Sequence, residues 1–180
     1  MKNNIKVFDN EIPKNIADEI YDKCYHSLYE LGWQDTAHPD KNDPNLYSLW
    51  SVDDIIRVGI SSYIEKCIEE TDWFEGTVLH KCIVNAIRSN DVHYIHHHPS
   101  EQVVLYYVNP DWIDGWHGET LFYNSKDPSK IDFTSVYKPE RLILFDGDIP
   151  HTIRPQSTKA PKYRFSISFF FGNKNLVTDN

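Results

Sequence analysis

The chain is poor in cysteine: Cys24, Cys67 and Cys82 are its only three among 180 residues. They are odd in number, far apart and set in apolar patterns. That excludes a disulfide framework or a zinc knuckle and predicts buried thiols in a reducing compartment. Positive charge is also scarce, since 18 Lys and Arg against 27 Asp and Glu leave a formal net charge of −9. With no basic stripe in view, neither a nucleic-acid backbone nor an anionic membrane is the expected partner. No apolar run approaches the ~20 residues that cross a bilayer, and Met1-Lys2-Asn3-Asn4 does not lead into a signal-type segment. Internal repeats and low-complexity linkers are missing too. The expectation is one cytoplasmic domain, residues 1–180, long enough for a substantial core.

Aromatic residues, in contrast, are abundant at 14%, and they fall in short runs that favour strands. Ile5-Lys6-Val7-Phe8 predicts a short first strand. Ile16, Ile20, Cys24, Leu28 and Leu31 then recur at spacings of three and four, one stripe of an amphipathic helix that stops at Gly32. Trp33 to Tyr47, with Pro39 and Pro44, reads as a loop and a candidate lid. Ser51 and Asp54 form an N-terminal cap pattern, and Val52, Ile56, Ile60, Tyr63, Ile64 and Cys67 mark a second helix. From about Thr77 the rhythm becomes that of an antiparallel sandwich or barrel: β-branched and aromatic runs between Asn, Asp, Pro and Gly. The expected fold is mixed α+β, mainly β. Residues 1–76 give helical support and residues 77–172 a barrel-like core, with two helices packed outside.

Four of the nine histidines fall in one stretch, His93-Tyr94-Ile95-His96-His97-His98-Pro99-Ser100-Glu101. A strand alternates its side chains, so His96 and His98 share one face and His97 takes the other. Two imidazoles on one face are two thirds of a facial metal site. The candidate for the third is His151, in Asp146-Gly147-Asp148-Ile149-Pro150-His151. Neutral imidazole suits iron, zinc, copper or nickel.

Five blocks then stand in order: the histidine-flanked run Val103 to Trp112, Gly118-Glu119-Thr120-Leu121-Phe122-Tyr123, Arg141 to Phe145, Pro150-His151, and Tyr163-Arg164-Phe165-Ser166-Ile167-Ser168. Together, over roughly residues 80 to 171, the chain resembles the Fe(II)/2-oxoglutarate-dependent dioxygenases of the prolyl-4-hydroxylase type. The resemblance implies a double-stranded β-helix (a jelly-roll, cupin-like barrel) with Fe(II) in its mouth. It implies His96 and His151 as ligands and puts the family's carboxylate ligand at His98, which is a departure. Three neutral imidazoles would leave the ion's full dipositive charge uncompensated. Glu101, three residues on, is the alternative third ligand if a tight turn brings it inward. Arg164 matches the arginine that clamps the far carboxylate of 2-oxoglutarate, bidentately and in a dry interior. Tyr107 matches the tyrosine sharing that carboxylate, with Ser166 beside them, while alternation sends Tyr106 to the other face. The long His151-to-Arg164 spacing leaves Arg154 as a rival.

Several neighbours read as structural. His117 stands where the family has a glycine; Glu119 buttresses a loop; Trp112 and Trp116 cover the rim; Asp132 to Glu140 is a solvated loop. Asp146 and Asp148 could orient His151 from behind. The implied activity is oxygen-dependent hydroxylation of a prolyl-type protein side chain or a small metabolite, coupled to decarboxylation of 2-oxoglutarate to succinate. Two other functions stay open: a three-histidine cupin-type metal dioxygenase without 2-oxoglutarate, and a non-catalytic metal or 2-oxoglutarate binder. An exposed Arg164 would favour the first of these.

Overall fold

A computed structural model describes residues 4–33, 45–91 and 93–173. In chain order the elements are β1 (Ile5–Phe8), α1 (Lys14–His26), β2 (Glu30–Trp33), β3 (Asn45–Trp50), α2 (Val52–Arg57), α3 (Ser61–Glu69) and β4 (Thr77–Ile87). They continue with β5 (Gln102–Tyr107), β6 (Thr120–Asn124), β7 (Asp127–Ser135), β8 (Leu142–Asp146), β9 (His151–Ile153) and β10 (Arg164–Asn173). A seven-stranded sheet runs β1-β8-β5-β10-β4-β3-β2, and a three-stranded sheet runs β7-β6-β9. All pairings are antiparallel.

Alternation along the central strands explains the layering. Val104 and Tyr106 of β5, with Phe165, Ile167 and Phe169 of β10, join Ile20, Cys24, Ile55 and Ile64 of the helices in one core. Val103, Leu105 and Tyr107 point the other way, toward Phe122 of the small sheet, in a second core. Each fully buried Ile or Phe contributes on the order of 2 kcal/mol. The large sheet is thus covered by helices on one face, and its other face meets the small sheet. The site lies on that inner face.

The N-terminal part departs from the sequence pattern in three places. Helix α1 ends at His26, because Ser27 is extended (ψ 152); Leu28 and Leu31, placed on its stripe by spacing, are 92% and 61% exposed. The supposed single helix after Ser51 is two. Its capping box forms as expected, with Ser51 Oγ accepting the Asp54 N–H at 3.1 Å. Gly59 then adopts φ +78, a left-handed conformation that ends α2. The chain restarts as α3, with Ile60 buried. Trp33 and Asn45–Tyr47 belong to strands rather than a loop, since β2 pairs with β3 and β3 with β4. The rest of the candidate lid, residues 34–44, lies outside the described residues. Cys24, Cys67 and Cys82 are free and buried. Among the described residues no helix is long and apolar enough to cross a membrane.

Asp9, just after β1, ties that edge to the turn before β8. Arg141 donates to it through Nε (2.8 Å) and Nη2 (3.0 Å), and Lys138 Nζ adds a third contact at 2.9 Å. The hydrogen bond from Arg141 is the main reason its carboxyl is held at about 2 instead of 3.8. Asp9→Asn is expected to cost on the order of 1–2 kcal/mol in urea unfolding at neutral pH. A depressed carboxyl stabilises the fold fully above its ordinary value and loses that contribution as pH falls through its folded value. The gap between wild type and variant should therefore shrink between pH 3.8 and about 2. A gap that stays constant across that window would remove the assignment.

Candidate metal centre and its deep arginine

The histidine-bearing segment joins β4 to β5 and is not itself a regular strand. Among its described residues, the ladder contact is an antiparallel bridge of His96 with His151. Here His96 N–H donates to His151 O at 3.0 Å and His151 N–H returns to His96 O at 2.8 Å. This extended geometry is enough to keep the alternation expected from sequence: His96 and His98 turn inward, and His97 is exposed. His98 N–H is then fixed to Gly147 O at 2.7 Å, while Gly147 N–H donates to Glu101 O at 2.9 Å. Gly147 is a glycine for reasons of space. A Cβ there would stand 2.5 Å from Glu101 O and closer still to His98 O.

The structure brings His96, His98 and His151 together. Their ligand atoms lie within 4.8 Å of one another, and the ring centroids are 4.4, 5.0 and 5.1 Å apart. Small ring rotations would place three nitrogens at the ~2.0–2.1 Å that a first-row divalent ion takes from imidazole. His96 Nδ1 lies 3.0 Å from Tyr94 O, and His151 Nδ1 lies 2.8 Å from Ile149 O. A carbonyl can only accept, so each Nδ1 carries a proton, and it is Nε2 that, in the neutral ring, has a lone pair for an ion. Burial, with the His96 and His98 rings adding to it, pushes the His151 pKa well below the usual histidine value and keeps the ring neutral. The orienting group for His151 is therefore its own chain's Ile149 carbonyl, and not the turn carboxylates. Asp146 Oδ1 instead accepts the Asp148 N–H at 3.1 Å, closing the turn on itself. Phe145 packs on His151 (4.9 Å) and Phe170 on His98 (4.9 Å), which dries the centre.

Glu101 faces elsewhere. Its carboxylate is 2.9 Å from His80 Nε2 and 3.7 Å from Lys81 Nζ. The register of β10 on β4 passes from Phe170↔Lys81 to Phe171↔Leu79, so His80 is the extra residue of a β-bulge. That bulge turns His80 toward Glu101.

Deeper between the sheets, Arg164 is fully buried while Arg154 is half-exposed. Arg164 Nε donates to Gly118 O at 2.9 Å and Nη1 to Ser166 Oγ at 3.2 Å. Nη2 is buried with no hydrogen-bond partner among the described residues. Burial lowers the pKa of this group, though a guanidinium stays charged in proteins. Ser166 pairs in register with Tyr107, whose hydroxyl lies 2.7 Å from Thr120 Oγ1 and 3.3 Å from Ser135 O. Tyr106 sits in the helix-side core, as alternation requires. Gly118 has φ +86, and a Cβ on it would meet Trp112 at 3.1 Å and Arg164 Cδ at 3.2 Å. His117 has a left-handed φ of 62, at the position where the resemblance expects glycine. Trp112 and Trp116 form an edge-to-face pair at 5.6 Å.

Three neighbours of the site were not marked by the sequence. Thr120 and Phe122 alternate onto the inner face of β6, and Phe122 lies opposite His151 in register; period-two patterning would have found both. Tyr137 is harder. Asp132 to Glu140 does not form a solvated loop throughout, because β7 runs to Ser135 and Tyr137 is 5% exposed. Phe133, Ser135 and Tyr137 do alternate onto one face, but Asp132, Lys138 and Glu140 mark the stretch as polar, and the alternation runs two residues past the end of β7.

No family model matches the chain, and no curated protein matches it by sequence. Solved structures do match in fold. A prolyl hydroxylase from Trichoplax adhaerens, in complex with a hypoxia inducible factor oxygen degradation domain peptide fragment, superposes with a TM-score of 0.74 at 17% identity. The match covers 98% of this chain and 87% of that one. A Pseudomonas putida prolyl-4-hydroxylase gives 0.64 at 12% identity, over 95% and 94% of the two chains. HygX from Streptomyces hygroscopicus, with nickel and 2-oxoglutarate bound, gives 0.68 at 9% identity, over 96% and 84%. At these identities the likeness is one of fold, shared with prolyl hydroxylases and 2-oxoglutarate oxygenases and, in this chain, mainly β and antiparallel.

Proposed function

We propose that this chain is an Fe(II)- and 2-oxoglutarate-dependent oxygenase on a double-stranded β-helix, acting as one cytoplasmic domain. The observation that carries the proposal is Arg164: a fully buried guanidinium with an unbonded Nη2, on the inner face shared with three clustered histidines. A buried guanidinium with one nitrogen left without a hydrogen bond is costly, and a ligand carboxylate would lower that cost. His96, His98 and His151 would hold Fe(II) through Nε2. Arg164, with Tyr107 and Ser166, would hold the far carboxylate of 2-oxoglutarate. Thr120, beside the Tyr107 hydroxyl, and Phe122, opposite His151, are two residues apart on β6. That is on the order of 7 Å, a span suited to a five-carbon dicarboxylate.

Bound iron and 2-oxoglutarate supply oxygen activation: one oxygen atom enters succinate as carbon dioxide leaves, and the other becomes the substrate's hydroxyl. The chain's own residues supply orientation, dryness and charge. Three neutral imidazoles leave the ion's charge uncompensated, which strengthens its attraction for a dianion in a dry site. The substrate class is a prolyl-type protein side chain or a small metabolite. The Trichoplax enzyme carries a peptide, and HygX has been solved with hygromycin B. A three-histidine cupin-type dioxygenase without 2-oxoglutarate has no use for a buried, underbonded Arg164, so it is the weaker reading.

The test is anaerobic Fe(II) binding with and without 2-oxoglutarate, followed by succinate release in air. Tighter iron binding with 2-oxoglutarate and slow succinate release without added substrate are expected. His151→Ala should weaken iron binding by about 100-fold or more, in line with losing one of the ion's three protein ligands. Iron uptake indifferent to 2-oxoglutarate would sink the proposal in favour of the cupin-type enzyme. Binding of both without succinate, across peptide and metabolite mixtures, would leave a non-catalytic binder.

A further inference from the structure

Regular pairing of β10 on β5 stops at Ser166↔Tyr107, so Arg164 lies just past the end of that ladder. One backbone contact follows, Val108 N–H to Phe165 O at 3.2 Å. The next residues of the neighbouring chain are Asn109 and Pro110, and proline has no N–H to give. Asn109's side chain takes over the pairing. Its Oδ1 accepts the Phe165 N–H at 2.7 Å and its Nδ2 donates to Tyr163 O at 3.0 Å. One amide thus engages the backbone on both sides of Arg164. Asn109 is 2% exposed.

Tyr137 reinforces the same place from the opposite direction. Its hydroxyl lies 2.6 Å from Phe165 O and 2.8 Å from Asn109 Oδ1, and accepts the Asn109 N–H at 3.0 Å. Its ring stacks on Tyr107 (4.4 Å, 13°), and Arg164 Cζ lies 4.7 Å from the Tyr137 ring centre and 5.0 Å from that of Tyr107. Both are within cation–π range. Trp112 backs the Tyr137 ring at 4.2 Å. The guanidinium is therefore located by two rings and by its own clamped backbone.

We propose that Asn109 and Tyr137 are positioning residues that act through Arg164, holding its free Nη2 toward the inter-sheet space and so setting affinity for the distal carboxylate of the cosubstrate. This rests on the oxygenase reading, and it deepens the assignment of that carboxylate's site. Neither residue touches the ligand. Their effect should depend on the ligand having a distal carboxylate and on Arg164 being present.

The probes are 2-oxoglutarate and pyruvate, bound to the Mn(II)-loaded protein under anaerobic conditions. Pyruvate shares the keto-acid head but lacks the distal carboxylate. Tyr137→Phe keeps the ring and removes the hydroxyl; it should weaken 2-oxoglutarate binding about tenfold and leave pyruvate and Mn(II) within about twofold. Asn109→Ala should act in the same direction, and Tyr137→Phe remains informative should that variant not fold. In an Arg164→Ala background, Tyr137→Phe should add nothing. Equal weakening of both probes, or a full additional loss without Arg164, would overturn the proposal by making the role merely structural. A second readout does not need the cosubstrate: hydrogen exchange at the Arg164 Nε–H, followed by nitrogen-15 NMR. Tyr137→Phe should speed it about tenfold. Faster exchange in a protein that never binds 2-oxoglutarate would overturn the oxygenase reading and keep the positioning of Arg164. Unchanged exchange together with unchanged 2-oxoglutarate affinity would overturn the positioning itself.

Discussion

Arg164→Ala is expected to weaken 2-oxoglutarate binding by about 100-fold or more while Mn(II) affinity stays within about threefold, read by calorimetry on the metal-loaded protein. The size follows from where the charge sits. In wild type the guanidinium is already dry, held by Gly118 O and Ser166 Oγ, with one nitrogen unbonded. A carboxylate arriving there exchanges bulk water for a charge-assisted partner whose desolvation has been met by folding. Without the arginine the carboxylate would be buried beside two tyrosine rings and a serine, so most of the cost of drying it returns. Arg164→Lys should recover only part of the affinity. A lysine ammonium lacks the planar fork that can reach Gly118 O, Ser166 Oγ and a ligand together. Unchanged 2-oxoglutarate affinity in Arg164→Ala would remove the clamp. Loss of Mn(II) binding would show that the substitution damages the fold as a whole.

The parts of this site legible in sequence are those governed by strand alternation. His96 against His97, Tyr107 against Tyr106 and Arg164 with Ser166 all follow from period two, and the structure places each pair accordingly. Such signals are local. The distal partner His151 is a candidate by its place just after the apolar run Arg141 to Phe145, and the family resemblance strengthens the choice, but nothing nearby in sequence records that it bridges His96. The fate of Glu101 was undecidable for the same reason. It depends on a β-bulge at His80, which arises from a register shift between β4 and β10. Helix ends are not legible where an apolar stripe outruns the helix, as at Leu28 and Leu31. Side-chain periodicity continues to look helical there after the backbone has turned extended. The roles of Tyr137 and Asn109 are long-range hydrogen bonds to Phe165, which no local pattern records.

Gly147→Ala should have the other large effect, and it tests how His98 is placed. Gly147 has no side chain to offer an ion, yet its backbone grips both sides of the Pro99-Ser100 turn. His98 N–H donates to its carbonyl at 2.7 Å, and its own N–H donates to Glu101 O at 2.9 Å. A methyl group there would sit 2.5 Å from Glu101 O and nearer still to His98 O. Both obstacles are backbone atoms, so no side chain can swing aside; the turn must move by the order of 1 Å, and the two hydrogen bonds move with it. The expected cost is about 3 kcal/mol of stability and at least about a tenfold loss in Mn(II) affinity. Because the His96–His151 bridge is built from other atoms, the damage should be confined to the His98 arm. A His98→Ala background checks this: there Gly147→Ala should still destabilise the fold but should no longer weaken what metal binding remains. Wild-type metal affinity in Gly147→Ala would mean that His98 is placed by something other than this turn. An equal further loss in the His98→Ala background would mean that the substitution distorts His96 and His151 as well.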